Sequence, residues 1–112
     1  MNAIYKVEDQ RRAVKIDVKN NLEDLQQLVK GYIEVVPSGI DNIVIICNEE
    51  GKLNGMKKNF TLLVDGGDEL VPSNDCISGP ALFVGTDGED FRSLTPKEIE
   101  MVNSYIGQAL AS

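Results

Sequence analysis

Ile43-Val44-Ile45-Ile46-Cys47 is followed at once by Asn48-Glu49-Glu50-Gly51-Lys52-Leu53-Asn54-Gly55. The apolar run has no polar alternation, so it reads as a central strand covered on both faces. The segment after it sets polar and charged groups at the end of the most hydrophobic stretch of the chain. Such a position is where a rigid strand presents side chains.

Working outward from this junction, Tyr32 to Val36 reads as a strand joined to Ile43–Asn48 through Pro37-Ser38-Gly39-Ile40-Asp41-Asn42, which has turn composition. These two strands form a hairpin. Before it, Asn20 or Asn21 caps a short helix whose stripe is Leu22, Leu25, Leu28 and Val29, with Gly31 as its left-handed stop. Earlier still, Ala3 to Val7 and the alternating Ala13 to Val18 form a hairpin with one wet face, Val14, Ile16 and Val18 pointing one way and Lys15 and Asp17 the other. Downstream, Val64 to Asn74 has the composition of an exposed, mobile loop. Ile77 to Val84 reads as a strand interrupted at Gly79-Pro80, which suggests an edge position or a kink at its start. A polar turn, Thr86-Asp87-Gly88-Glu89-Asp90, leads to a final helix. There Thr95 and Glu98 have capping-box spacing, Pro96 suits the first helical position, and Leu94 and Ile99 have staple spacing. Ile99, Val102, Ile106 and Leu110 share one face. The expected fold is α+β: a mainly antiparallel sheet of about five strands, two hairpins plus a later strand, packed against one short and one longer C-terminal helix.

The chain has 112 residues, which suits a single domain spanning 1–112, and its 42% apolar and 26% charged residues are ordinary globular usage. Its formal charge of −7 opposes extended contact with nucleic acid or anionic lipid. A small anion is not excluded, because one helix terminus or one lysine can hold a phosphate locally. No histidine is present, and the two cysteines, Cys47 and Cys76, have no metal-ligand spacing, so no metal or other cofactor is expected. Cys47 reads as a small buried hydrophobe. The segment Met1 to Lys19 lacks the order of a signal peptide and no apolar stretch reaches membrane-spanning length. The expected setting is cytosolic, with free thiols and no membrane contact.

Two readings of Asn48 to Gly55 stand side by side. One is a solvated turn whose glycines supply positive φ. The other is a ligand cradle, with Glu49, Glu50, Lys52 and Asn54 offering acceptors, a cation and a bidentate amide beside Gly51 and Gly55. Glu49 and Glu50 are adjacent, so in a strand they face opposite sides and cannot pair across one substrate without a turn. With no histidine, and no activating partner in sequence for Ser78, Ser93 or Cys76, a non-catalytic role is expected. Asp87 to Asp90 lacks the order of a calcium loop and reads as a polar turn. Arg92, just ahead of the helix start, is a candidate anion contact or a salt-bridge partner of Glu89 or Asp90. Tyr32 shares a face with Glu34 and Val36; it is read as core, or, if exposed, as a stacking platform for a base.

Four blocks in order, Gly31 to Glu34, Asn48 to Gly55 with Asn59 following, Ile77 to Gly79 and Gly85 to Thr95, together resemble the domain-of-unknown-function 3846 family over nearly the whole chain. The resemblance implies a setting in phages and mobile elements of bacteria, where small counter-defence proteins occur; it implies no established activity. One departure stands out. Where that family commonly follows the asparagine with arginine, this chain has Asn59-Phe60, and Met56-Lys57-Lys58 replaces a more proline-rich turn; Lys57 or Lys58 matches an arginine in charge but not in fork geometry.

These readings converge on a protein of a bacterial host's cytoplasm that binds and sequesters a small nucleotide-like immune signal, with a homo-oligomer as the expected assembly. The expected ligand-binding set is Tyr32, Asn48, Glu49, Glu50, Lys52, Asn54, Asn59 and Arg92. A rival from another class is an acidic inhibitor that binds a host defence protein or nuclease directly, motivated by Asp65 to Glu69 and Asp87 to Asp90. A third is a structural module that engages a partner through a sheet edge.

Overall fold

The alternation near the N-terminus builds β1 (Asn2–Lys6) and β2 (Val14–Asp17), which pair antiparallel with Ile4 opposite Lys15. In the computed structural model, which describes residues 1–112, they begin an antiparallel sheet that also takes in β3 (Ile33–Pro37), β4 (Ile43–Asn48) and β7 (Ala81–Asp87) in the order β2-β1-β7-β4-β3. The unbroken apolar run is an inner strand, held by β3 on one side and β7 on the other. Both of its faces are covered. Ile43, Ile45 and Cys47 point into a core shared with Phe83, Phe60 and helix α2 (Pro96–Leu110), while Ile46 points into a second core under helix α1 (Leu22–Val29) with Leu25, Val29 and Leu82. The fold is α+β, a main antiparallel sheet packed against a short and a longer C-terminal helix.

The helix signals act as read. Asn21 caps α1, its side chain accepting from the Asp24 amide at 2.8 Å, and Thr95 and Glu98 close a reciprocal capping box with Pro96 in the first turn. The stop of α1 differs. Lys30, not Gly31, takes the left-handed conformation (φ 64°), and Gly31 is needed because a Cβ there would lie 2.7 Å from Asn48 Nδ2. Leu22, in the first turn, is 57% exposed and leaves the stripe to Leu25, Leu28 and Val29.

The region read as a mobile loop is instead a second, two-stranded sheet, β5 (Lys58–Asp65) and β6 (Leu70–Ser78). Its pattern was hidden for two reasons. The ladder slips between Lys58 and Phe60 and again between Thr61 and Leu63, which breaks strict alternation, and one face of β6 is wet, so Pro72, Ser73 and Asn74 sit in a strand. Only Gly66 to Glu69 turns, with Asp65 Oδ1 accepting from the Gly67 amide at 2.9 Å. This hairpin and α2 cover one face of the main sheet: Phe60, Phe83 and Tyr105 stack and interlock there, and the Tyr105 hydroxyl accepts from the Leu63 amide at 2.9 Å.

Ile77 to Val84 is likewise two strands in two sheets. The chain leaves β6 at Ser78, turns at Gly79 (φ 83°) and enters β7, which is central and not an edge strand. The polar turn after Gly85 continues as a tight hairpin to a short β8 (Asp90–Arg92), which lies beside β7 beyond its pairing with β1. No helix is long and apolar enough to cross a membrane.

Candidate functional site

Pleating decides which way the end of β4 speaks. Cys47 lies opposite Glu34, facing the β5–β6 hairpin, whereas Asn48 faces α1. Asn48 is 7% exposed and its amide is fully used: Nδ2 donates to the carbonyls of Val29 (3.0 Å) and Lys30 (3.2 Å), and Oδ1 accepts from the Glu50 amide (2.8 Å). One side chain thus ties off the last turn of α1 and starts the turn that follows β4. Further bonds from the Asn54 amide to the Glu50 carbonyl (2.8 Å) and from the Met56 amide to the Gly51 carbonyl (2.9 Å) hold the turn in shape. Gly51 is buried against β6, where a Cβ would come within 2.6 Å of the Ser78 carbonyl oxygen.

Between this turn and β6 lies a cleft of about 380 Å³ with Glu34, Glu49, Glu50, Lys52, Asp75 and Cys76 among its walls, and Val36, Cys47, Leu62 and Ile77 as its apolar floor. Lys52 donates to Asp75, an ion pair with both side chains more than half exposed. That bond raises the Lys52 ammonium and lowers the Asp75 carboxyl from their ordinary values. Burial pushes the Cys47 thiol up to about 11, so it is protonated at neutral pH. The walls carry four carboxylates against one ammonium.

On the α1 side of the same turn is a smaller hollow of about 220 Å³, where Tyr32 and Asn54 meet Lys30 and Gly31. Asn48, Glu49 and Glu50 border both spaces. The turn therefore does what a strand cannot, bringing the adjacent Glu49 and Glu50 to a common rim. Tyr32 is 71% exposed and precedes β3, which corrects its reading as core: it has left the pleat before the sheet begins.

Two residues of the expected set lie elsewhere. Asn59 is buried, accepting from Lys6 Nζ at 2.6 Å and donating to the carbonyls of Lys6 and Gly79 at 2.8 Å each, so it is part of the scaffold. Arg92 lies opposite Gly85, at the end of β7 remote from the Cys47–Ala81 pair. Its guanidinium is bidentate to Glu98 (2.7 and 3.1 Å) and bonds Asp87 at 2.9 Å, in place of the Glu89 or Asp90 pairing read from sequence, and Glu98 also fills the helix cap. Glu34, Asp75, Cys76 and Ser78 line the cleft without having been singled out as ligand contacts. For Asp75 and Cys76 the signal was the strand that the polar composition of β6 concealed. At the molecule's opposite end Asp41, Asp65 and the Thr86 to Gly88 turn border one shallow hollow, which gathers acidic loops at one pole.

Residues 1–108 match the family described as Domain of unknown function (DUF3846). The chain belongs to that family. The match takes in every strand, α1 and all but the end of α2, and both hollows beside the β4 turn lie inside it. No curated protein and no solved structure matches this DUF3846 chain.

Proposed function

We propose that this DUF3846 protein is a non-catalytic binder that sequesters a small nucleotide-like signal, with the cleft at the end of β4 as its site. The observation that carries the reading is the cleft itself. Its volume of about 380 Å³ falls in the range of small-molecule sites, it has an apolar floor with a few polar groups at the rim, and its walls are a buried-amide-anchored turn and a sheet strand. The charge pattern sets the pose. Glu34, Glu49 and Glu50 suit donors, the amino and imino edge of a base or sugar hydroxyls, whereas phosphates stay at the rim near Lys52. Lys52 is free to turn outward, because an exposed ion pair such as Lys52–Asp75 is typically worth less than about 1 kcal/mol. The exposed ring of Tyr32 on the other side of the turn offers a stacking surface.

Binding without turnover fits the chemistry of the lining. No histidine is present and the Cys47 thiol is protonated at neutral pH, so neither the commonest general base nor a ready thiolate is at hand. Holding a signal out of circulation suits the phage and mobile-element setting that the family resemblance implies, inside a bacterial host's cytoplasm. Calorimetry against cyclic dinucleotides, cyclic trinucleotides and ADP-ribose derivatives tests the proposal. Uptake of one of them, its recovery intact, and at least a tenfold loss in Lys52→Ala and Glu50→Gln with unchanged melting are expected; no heat from any of them removes the reading.

A second reading is supported by the acidic pole around Asp41 and Asp65, namely direct inhibition of a host defence protein through its basic surface. Such a complex weakens steeply with salt and is indifferent to Lys52→Ala.

A further inference from the structure

Apart from the three-residue β8, the main sheet ends in two edge strands, β2 and β3. They are not equivalent. β3 carries Pro37, which has no amide proton, and Glu34 is its only charge, so it offers a second copy no matching group. β2 has neither proline nor bulge, and its residues Val14-Lys15-Ile16-Asp17 continue into Val18.

The hydrogen bonding of β2 dictates what it can pair with. Met1 and Val18 exchange bonds, Val18 N to Met1 O and Met1 N to Val18 O, both at 2.9 Å. In an antiparallel ladder such pairs alternate, so Ile16 and Val14 also turn their amides and carbonyls toward β1, and Lys15 and Asp17 turn theirs outward. A second β2 running antiparallel must set outward residues against outward residues. Three short registers satisfy this. One puts Lys15 on Lys15, one puts Asp17 on Asp17, and the one centred on Ile16 puts Lys15 of each copy on Asp17 of the other, twice. Like charges directly opposite are destabilising and opposite charges stabilising, so the pairing geometry and the side chains select the same register.

We propose that β2 is a homodimerisation edge, pairing with β2 of a second copy in the Ile16-centred register. The two sheets then run on as one across a two-fold axis. The side chains agree. Helix α1 packs over β3, β4 and β7 and leaves the same face of β2 open, so Val14 is 50% exposed and Ile16 half-buried. In this register Ile16 meets Ile16 as a close pair without backbone bonds between them, and Val14 meets Val18 beside a groove of about 410 Å³ that Ile16, Val18 and Leu28 help to line. Lys15 enters no ion pair within its own chain, and the carboxylate of Asp17 is 81% exposed although one oxygen holds the Met1 ammonium. The formal charge of −7 on each copy opposes association at low ionic strength and is screened at physiological salt.

Sedimentation equilibrium at about 0.15 M salt, where the Debye length is roughly 8 Å, tests the edge by charge exchange. The wild-type chain is expected to be dimeric. Lys15→Asp sets carboxylates opposite Asp17, Asp17→Lys sets ammoniums opposite Lys15, and each is expected to weaken the dimer at least tenfold. Net charge predicts opposite effects for the two, so loss in both isolates the local pairing. Mixing the two variants restores complementary pairs and is expected to give a heterodimer; the double variant regains the homodimer. In hydrogen exchange the Lys15 and Asp17 amides gain protection in the dimer, while those of Val14 and Ile16 are protected in dimer and dissociated variants alike. A monomeric wild type, a dimer indifferent to both single exchanges, or a mixture that stays monomeric would overturn the proposal. Circular dichroism of each variant separates dissociation from unfolding.

Discussion

Replacing Asn59 by alanine removes the only side-chain acceptor of a buried ammonium. Lys6 is 1% exposed, and its Nζ is held by Asn59 Oδ1 at 2.6 Å and the Val7 carbonyl at 3.2 Å, with no carboxylate bonded to it. A hydrogen bond to a charged group contributes about 1.5–3 kcal/mol, and each carbonyl left without its donor, those of Lys6 and Gly79, costs about 1 kcal/mol. Asn59→Ala is therefore expected to lose about 3–5 kcal/mol at pH 7, a large share of a typical domain's total. The pH dependence sharpens the test. Burial, and then Arg11, holds the Lys6 ammonium below the ordinary lysine value. Between that lowered value and the unfolded one the unfolded chain binds more protons, so stability rises with pH through this window. Losing the Asn59 acceptor lowers the native value further and widens the window on its acid side. The deficit of the variant must then shrink as pH climbs toward about 10, where the unfolded lysine also starts to release its proton. Urea unfolding at the two pH values measures it. A loss under about 1.5 kcal/mol, or the same loss at both pH values, refutes the reasoning.

Glu98 is held at about 2 by its hydrogen bonds from Arg92, against partial burial and with help from the Thr95 amide. Its contribution is thus present above the unfolded glutamate value and disappears as pH falls through about 2; Glu98→Gln should cost about 1–2 kcal/mol at pH 7 and converge with wild type in melts near pH 2. A disulfide reagent at pH 8 is expected to modify Cys76 quickly in the native protein and Cys47 only after unfolding, since Cys47 is buried with its thiol pushed up to about 11; two fast thiols contradict the placement of Cys47. Gly31→Ala sets a Cβ 2.7 Å from Asn48 Nδ2, and is expected to cost about 1–2 kcal/mol by thermal melting and to slacken the turn after β4 through the lost Asn48 bonds. An unchanged melting temperature would show that Asn48 has room to shift.

Local rules were legible wherever one short segment contains both halves of an interaction. Thr95 and Glu98, Asn21 and Asp24, and the two hairpins around Glu8–Arg12 and Pro37–Asn42 all close within a few residues, and each forms as read. Strand β6 failed the same reading because its ladder with β5 slips twice, the second time with the extra residues in β6 itself, and because its wet face imitates a loop. The cost fell on the cleft, since Asp75 and Cys76 were hidden with it.

From sequence alone came the α+β class, the buried strand Ile43–Cys47, and the expectation that the polar groups after it stand on rigid support. Periodicity and composition are enough for that, because burial of an apolar strand is favourable whatever covers it. Only the tertiary structure decided which of those groups share a space. Asn48 and Asn59 turn out to satisfy backbone carbonyls and a buried ammonium, Arg92 is tied to Glu98 at the far end of β7, and Glu34 and Asp75 join Lys52 around the cleft. Hydrogen-bond partners distant in sequence compete for the same side chains, and the winner depends on which strands become neighbours.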